Sequence, residues 1–312
     1  MKRVLVIYYS QTGQLNRFTR SALSALDGTS GIEVVYEELK PAAPYPFPWN
    51  VRTFLGVMPE SVLMIPPEIQ PVRFDPDAVF DLVVLAYPVW FLSPALPVTA
   101  FLKSPAARVL RGRPVLTIVD SHGIWLAAQE KVKQALSAQG AVLIDNIIVP
   151  DQGGTFLSTL TAPRWMLTGR ADRFLGVFPP AGASEAAVTD AARFGPPIRD
   201  ALLAQALDHP APLLVGWGAA CVDWRFIGNE KIALRMFTLW ARAIRAAGPR
   251  GSARRSLVQA VFAVYLVVVV GTLLPLSFFA KTLFARFLRE RIAQDMAYYE
   301  GPSGADRSKL PG

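Results

Sequence analysis

Five short runs rich in β-branched residues, at 4–9, 32–37, 82–86, 115–120 and 142–149, recur along the first half of this 312-residue chain. A brief, nearly continuous apolar run suits a parallel strand buried on both faces. Between the runs, residues 14–26, 94–102 and 124–138 carry apolar side chains at helical spacing. Strands alternating with helices predict an α/β fold with a doubly wound, five-stranded parallel sheet and ligand chemistry at the carboxyl ends of its strands.

The rest of the chain is divided by composition. Residues 41–77 and 151–182 are rich in Pro, Gly and aromatic side chains and read as ordered but irregular insertions. A last helix is expected at 184–206, interrupted near Gly195-Pro196-Pro197. These limits give one domain over 1–208, a linker with a basic amphipathic helix over 209–255, and an apolar segment with a basic tail over 256–312. His209 falls in the expected turn between the parts.

Charge is as unevenly spread as hydrophobicity. Residues 1–224 carry 18 Lys+Arg against 19 Asp+Glu, whereas residues 225–312 carry 14 against 5. The basic part also holds the longest apolar run, 24 uncharged residues at 257–280. Anionic lipid suits that combination and nucleic acid does not. As a straight helix the run is about 36 Å long against a hydrocarbon core of about 30 Å. Arg250, Arg254 and Arg255 precede it and Lys281, Arg286, Arg289 and Arg291 follow, so a single span leaves a basic cluster on each side. A re-entrant hairpin bent at Pro275, with both ends cytoplasmic, or a dimer-assisted version of it, avoids this and is the expected arrangement over a single span.

Upstream, at 225–247, Lys231, Arg235, Thr238, Arg242 and Arg245 share one helical face. Leu234, Phe237, Trp240, Ala241 and Ile244 lie on or near the other. That helix suits the headgroup layer or the surface of the domain. Cys221 is the single cysteine, which excludes an intramolecular disulfide. Lys2-Arg3 and the apolar residues after it are too short for an export signal and read as the first strand.

The first strand runs directly into Ser10-Gln11-Thr12-Gly13-Gln14 and a helix. Hydroxyls and successive N–H groups at a helix N-terminus form a pocket for a phosphate dianion. The stretch YYSQTGQ resembles the FMN-phosphate loop of flavodoxins and related quinone reductases, with Leu15 where that family often has Thr and Asn16 available instead. In the segment after the third strand, Pro88, Val89, Trp90 and Phe91 resemble the second flavin loop, with Trp90 as the stacking candidate. Ser121, His122 and Gly123, after the fourth strand, resemble the third. The resemblance implies FMN. No metal is expected, and with no G-x-G-x-x-G after any strand, NAD(P)H is expected only as a transient reductant.

His122 titrates near neutrality when unperturbed and is the first candidate for a catalytic acid or base, with hydrogen bonding to flavin or helix capping as its other reading. Tyr87 and Asp151 are further candidates whose other roles are packing and loop capping. Much of the chain, including PYPFPWN and the basic C-terminus near AYYE, resembles bacterial flavodoxin-like proteins known as dialkylresorcinol-condensing enzymes. That resemblance implies an FMN-dependent step on a small hydrophobic, lipid-tailed ring, such as its aromatisation, with Phe47, Trp49, Phe54 and Trp165 shaping a channel for alkyl tails. A membrane NAD(P)H:quinone reductase and a non-catalytic electron carrier are the alternatives. The cytoplasmic face of the inner membrane is the expected location, with membrane lipids and a second copy of the chain as partners.

Overall fold

In the computed structural model, which describes residues 1–208 and 212–300, the chain begins β1 (Lys2–Tyr8), α1 (Gln14–Ala22), β2 (Ile32–Glu38), α2 (Val51–Val62) and β3 (Leu82–Trp90). The two-residue β4 (Ser93–Pro94), α3 (Leu96–Leu102), β5 (Pro114–Asp120), α4 (Leu126–Ala138), β6 (Val142–Val149) and α5 (Gly154–Thr168) follow. Then come α6 (Glu185–Asp190), α7 (Gly195–Leu203), α8 (Trp224–Ala246), α9 (Ala253–Val268), α10 (Leu274–Phe284) and α11 (Arg289–Glu300). His209 and the tail 301–312 lie outside the described residues.

Five strands pair in parallel in the order β2-β1-β3-β5-β6, the flavodoxin-like doubly wound order. Alternate side chains of each strand reach opposite faces. Leu5, Ile7, Val83 and Leu85 pack with Phe101 of α3 and Val132 of α4. Val4, Val6, Val84 and Ile118 pack with Phe18 of α1 and Ile198 of α7 on the other side. Both faces are therefore dry, which is why the strands read as apolar runs rather than as alternating ones.

The insertions are more regular than their composition implies. Within 41–77, α2 starts on Asn50, whose side chain accepts the N–H of Thr53 at 2.8 Å. It continues through Pro59 with Leu55, Met58 and Val62 on one buried stripe. Within 151–182, α5 likewise forms around an internal Pro163. The last helix of the domain is broken by a 3₁₀ turn at Ala191–Phe194, and α7 resumes at Gly195 with its prolines in the first turn, where a missing N–H costs nothing.

The long apolar segment is a continuous helical rod over Ala253–Phe287, without the hairpin turn considered for Pro275. A π-helical turn at Val269–Leu273 precedes that proline and absorbs its lost hydrogen bond. The rod is long and apolar enough to cross a membrane by length and composition. It lies antiparallel on α8: Lys281 Nζ donates to the Arg225 carbonyl at 2.7 Å, Ser277 Oγ bonds Asn229 Oδ1 at 2.9 Å, and Trp240 meets Phe262 and Tyr265. The apolar face of α8 is thus covered by protein, with Ala241 and Ile244 fully buried among residues of α2 and α9.

Two buried carboxylates hold this helical layer on the sheet domain. Glu60 of α2 takes Arg255 of α9 at 2.9 and 3.1 Å, and Glu230 of α8 accepts the N–H of Ala127, in the first turn of α4, at 2.7 Å. Glu230 Oε2 has no partner among the described residues, and burial raises this carboxyl to about 8, opposed by the α4 amides. An acid raised in this way keeps its proton in the folded state after the unfolded chain has lost it. Stability must therefore fall as pH climbs from the ordinary carboxylate value toward 8, and level off above that. Glu230→Gln keeps the acceptor and removes the ionisation. It should nearly match the parent at pH 5 and exceed it by roughly 2–4 kcal/mol at pH 8.5; thermal unfolding across pH measures this, and a difference that does not vary with pH would refute it.

Candidate functional site

Parallel pairing brings the ends of β1, β3, β5 and β6 to one edge, and the crevice between β1 and β3 is the switch point where the connections diverge to opposite sides. From β1 the chain turns through Ser10–Gly13 into α1, with Gly13 in the left-handed region at φ 81° as its N-cap. Among the described residues, the N–H groups of Gln11, Thr12, Gly13 and Leu15 have no protein acceptor. The hydroxyls of Ser10 and Thr12 make only long contacts of 3.4 Å, to the N–H groups of Asn16 and Gln14. Four free amides, two hydroxyls and the positive end of α1 constitute an anion cradle. Asn16 does not add its side-chain carbonyl, which accepts Arg20 Nε at 3.1 Å.

Gln14 points across the crevice. Its Nε2 donates to Asp120 Oδ1 at 3.1 Å and its Oε1 accepts the N–H of Ala183 at 2.9 Å, tying the first loop to the end of β5 and to the segment after α5. Burial raises the Asp120 carboxyl, with His122 and the Gln14 amide opposing. Gln11 Nε2 donates to the Pro46 carbonyl at 2.8 Å, while its Oε1 is buried without a partner among the described residues.

The second loop differs from the expectation. β3 overshoots its neighbours and turns back through Phe91 and Leu92, both at positive φ, into β4. Trp90 is buried and meets Tyr9, Tyr45 and Trp49 edge-on at 5.7, 4.9 and 5.2 Å between ring centres. Its ring faces belong to the core, so it offers no stacking surface. Phe91 packs on Phe54 and Phe237 and, with Pro88 and Val89, is partly exposed. Tyr87 is fully buried with its hydroxyl on Gln129, and burial pushes it well above the ordinary phenol range, which removes it as an acid–base candidate.

Lys131 of α4, which sequence reading did not single out, anchors this loop from behind. Its Nζ donates to Ser93 Oγ at 2.7 Å and to the Val62 carbonyl at 2.8 Å, and desolvation lowers it to about 8.

At the third loop two separate sequence candidates become one unit. His122 Nδ1 lies 2.8 Å from Asp151 Oδ2, and that oxygen also accepts the N–H of Gly182 at 2.9 Å. Asp151 Oδ1 accepts the N–H of Gly153 at 3.0 Å and the Ser158 hydroxyl. Burial raises the Asp151 carboxyl, but these donors, His122 foremost, outweigh it and hold the group below its ordinary value. An ionised Asp151 makes His122 Nδ1 the donor and leaves Nε2 as the free, basic nitrogen. Asp151 thus orients the His122 ring, whose Nε2 has no hydrogen-bond partner among the described residues. Beside them the Ser121 hydroxyl is buried with no partner among the described residues, and Gly123 packs so closely that a Cβ would stand 2.5 Å from Thr155 Oγ1.

The insertions meet over these loops. The N–H of Trp49 donates to the Met166 carbonyl at 2.7 Å, and Trp165 stands edge-on to Phe47 at 6.1 Å and to His122 at 5.8 Å. Trp165 and Phe47 therefore border the third loop. Trp49, 3% exposed, and Phe54 are packing residues instead of channel walls.

Fold and site together define a flavodoxin-like chain with an anion cradle at its switch point. No family model and no curated protein matches it. Among solved structures it is similar to a flavoprotein in complex with FMN from Lactobacillus acidophilus NCFM, with 20% identity over 47% of this chain and 93% of that one, at a TM-score of 0.38. It is also similar to a flavodoxin from the domain Archaea (9% identity, 64% and 99% covered, TM-score 0.37) and to the oxidised flavodoxin of Bacillus cereus (11%, 62% and 95%, TM-score 0.34). The strand order, not these likenesses, defines the fold.

Asp151→Asn removes the charge that fixes the imidazole. Nitrogen NMR of labelled histidine, in a chain with only two of them, should show His122 protonated on Nδ1 in the parent and redistributed between tautomers in the variant. A parent carrying the neutral proton on Nε2 would contradict the geometry.

Proposed function

We propose that this chain binds FMN at the β1/β3 switch point and uses it to oxidise or reduce a hydrophobic ring at a membrane surface. The observation that carries the reading is the coincidence, at one sheet edge, of the amide cradle with the orphaned Ser121 hydroxyl and Gln11 carbonyl. Buried polar atoms without partners are rare in finished protein interiors and mark places where a ligand completes the bonding.

These residues fit a phosphorylated isoalloxazine. Ser10 to Leu15 offer donors and no carboxylate to a phosphate, and Pro88, Val89, Ser121 and Gly123 supply backbone on either side of a ring. Bound there, FMN supplies a two-electron acceptor or donor. The chain supplies the proton chemistry: Asp151 holds the His122 ring, and Nε2 takes a proton from a ring carbon or oxygen, or returns one to it. A cyclohexenone that loses a hydride equivalent and a proton becomes aromatic, which is the step implied by the likeness to resorcinol-lipid enzymes. Reduction of a quinone by NAD(P)H would use the same residues in the opposite sense.

FMN should quench on binding and bind about 100-fold or more tightly than riboflavin, because the cradle grips the phosphate. Equal affinity for the two, read by fluorescence titration, would exclude the cradle as the phosphate site. His122→Gln should retain FMN affinity and slow substrate-dependent flavin turnover by about 10²-fold, measured by stopped-flow absorbance.

A further inference from the structure

The rod and α8 together make a surface that the flavin reading does not use. Both helices lie on α2, side by side and antiparallel, and both are pinned to the domain: the rod through Arg255 on Glu60 and Phe278 on Phe156, α8 through Glu230 on α4. The inward stripe of the rod, Phe262, Tyr265 and Phe278 among it, is in contact with protein. Its outward stripe is apolar for the length of the rod, with Leu257, Val264, Val268, Leu276 and Leu283 between 53% and 74% exposed. Beside it α8 exposes Arg235, Arg242 and Arg245, and Arg254 and Arg286 stand near its two ends. No acidic residue occurs anywhere between 231 and 289.

A helix fastened in this way cannot cross a bilayer alone. If it did, α8 would enter the hydrocarbon beside it, carrying Arg235 and Arg242 into the middle of the membrane, where such charges are rare and face protein or water. Turned flat, the same two helices set an apolar ridge into the acyl boundary and a row of cations among anionic headgroups.

We infer that the Ala253–Phe287 helix lies in the plane of one anionic leaflet and docks the protein as a monotopic membrane protein. This deepens the membrane attachment proposed above and is independent of the flavin, so it is measured on protein with and without FMN.

The full chain, with Cys221→Ser as background, is labelled with bimane at Leu257→Cys, Val268→Cys or Leu283→Cys. Each form is added to phosphatidylcholine vesicles with or without phosphatidylglycerol, carrying bromine at defined acyl depths. All three labels should be quenched to the same extent, best by shallow bromines, and partitioning should be about tenfold or more weaker without phosphatidylglycerol. Combining Arg235→Glu with Arg242→Glu should weaken partitioning onto the anionic vesicles by a similar factor, at unchanged helix content by circular dichroism. A label at 268 quenched from the bilayer centre while 257 and 283 are shallow would mean a span. Unquenched labels on a stable dimer would mean that a second copy covers the ridge, and equal partitioning onto neutral vesicles would remove the role of charge. Any of these overturns the inference.

Discussion

Parallel pairing with strands in register is the constraint from which the site follows. Tyr8 lies opposite Ala86, and Pro88 opposite Asp120, so three loops leave the sheet at one level within a few residues of one another. Because both faces of the sheet are occupied by helices, polar groups of these loops have nowhere to turn except outward over the strand ends. The four unpaired amides after β1 exist only because α1 starts immediately, before the backbone can fold back to satisfy them.

The same economy appears at Asp151. A carboxylate 3% exposed in its side chain and clasped by His122, Ser158 and the amides of Gly153 and Gly182 joins β6, α5, the third loop and the segment leading to α6. Charge-assisted hydrogen bonds of this kind contribute about 1.5–3 kcal/mol each, which compensates for desolvating the charge. Glu230 is the contrasting case: the α4 amides oppose desolvation without overcoming it. At Asp151 the donors, His122 foremost, outweigh desolvation, whereas at Glu230 they do not.

The strands and the doubly wound parallel sheet were legible because they depend on local period and on the alternation of strands with helices. Helices α2 and α5 were hidden, since Pro59 and Pro163 lower helix propensity while the evidence for a helix, stripes such as Leu55, Met58 and Val62, is spread over an aromatic-rich stretch. The burial of Trp90 depends on three rings from distant segments, which no local pattern reports. Glu230 did leave a trace: it interrupts an apolar stripe with Phe226, Ile227 and Ala241 at helical spacing, which marks a buried acid that needs a partner. The 24-residue uncharged run left a span and a hairpin open because a sequence shows length and not what the helix lies against. With α8 alongside, each Arg carried to the bilayer centre would cost roughly 2.5–3.5 kcal/mol on insertion scales, a sum that favours the planar arrangement.

Site and surface share an element in α5. Its first turns carry Phe156, tilted against Phe278 of the rod at 4.7 Å between ring centres, and Ser158, bonded to Asp151. Its last turn carries Trp165, against His122. Among its residues only Ser158, Thr161 and Ala162 are buried, so polar bonds and ring contacts hold it more than a hydrophobic stripe does. A helix of that kind is set in place by its neighbours. The position of the imidazole is therefore fixed from one side by Asp151, just beyond the last strand, and from the other by an element resting on the surface that the basic, apolar helices form.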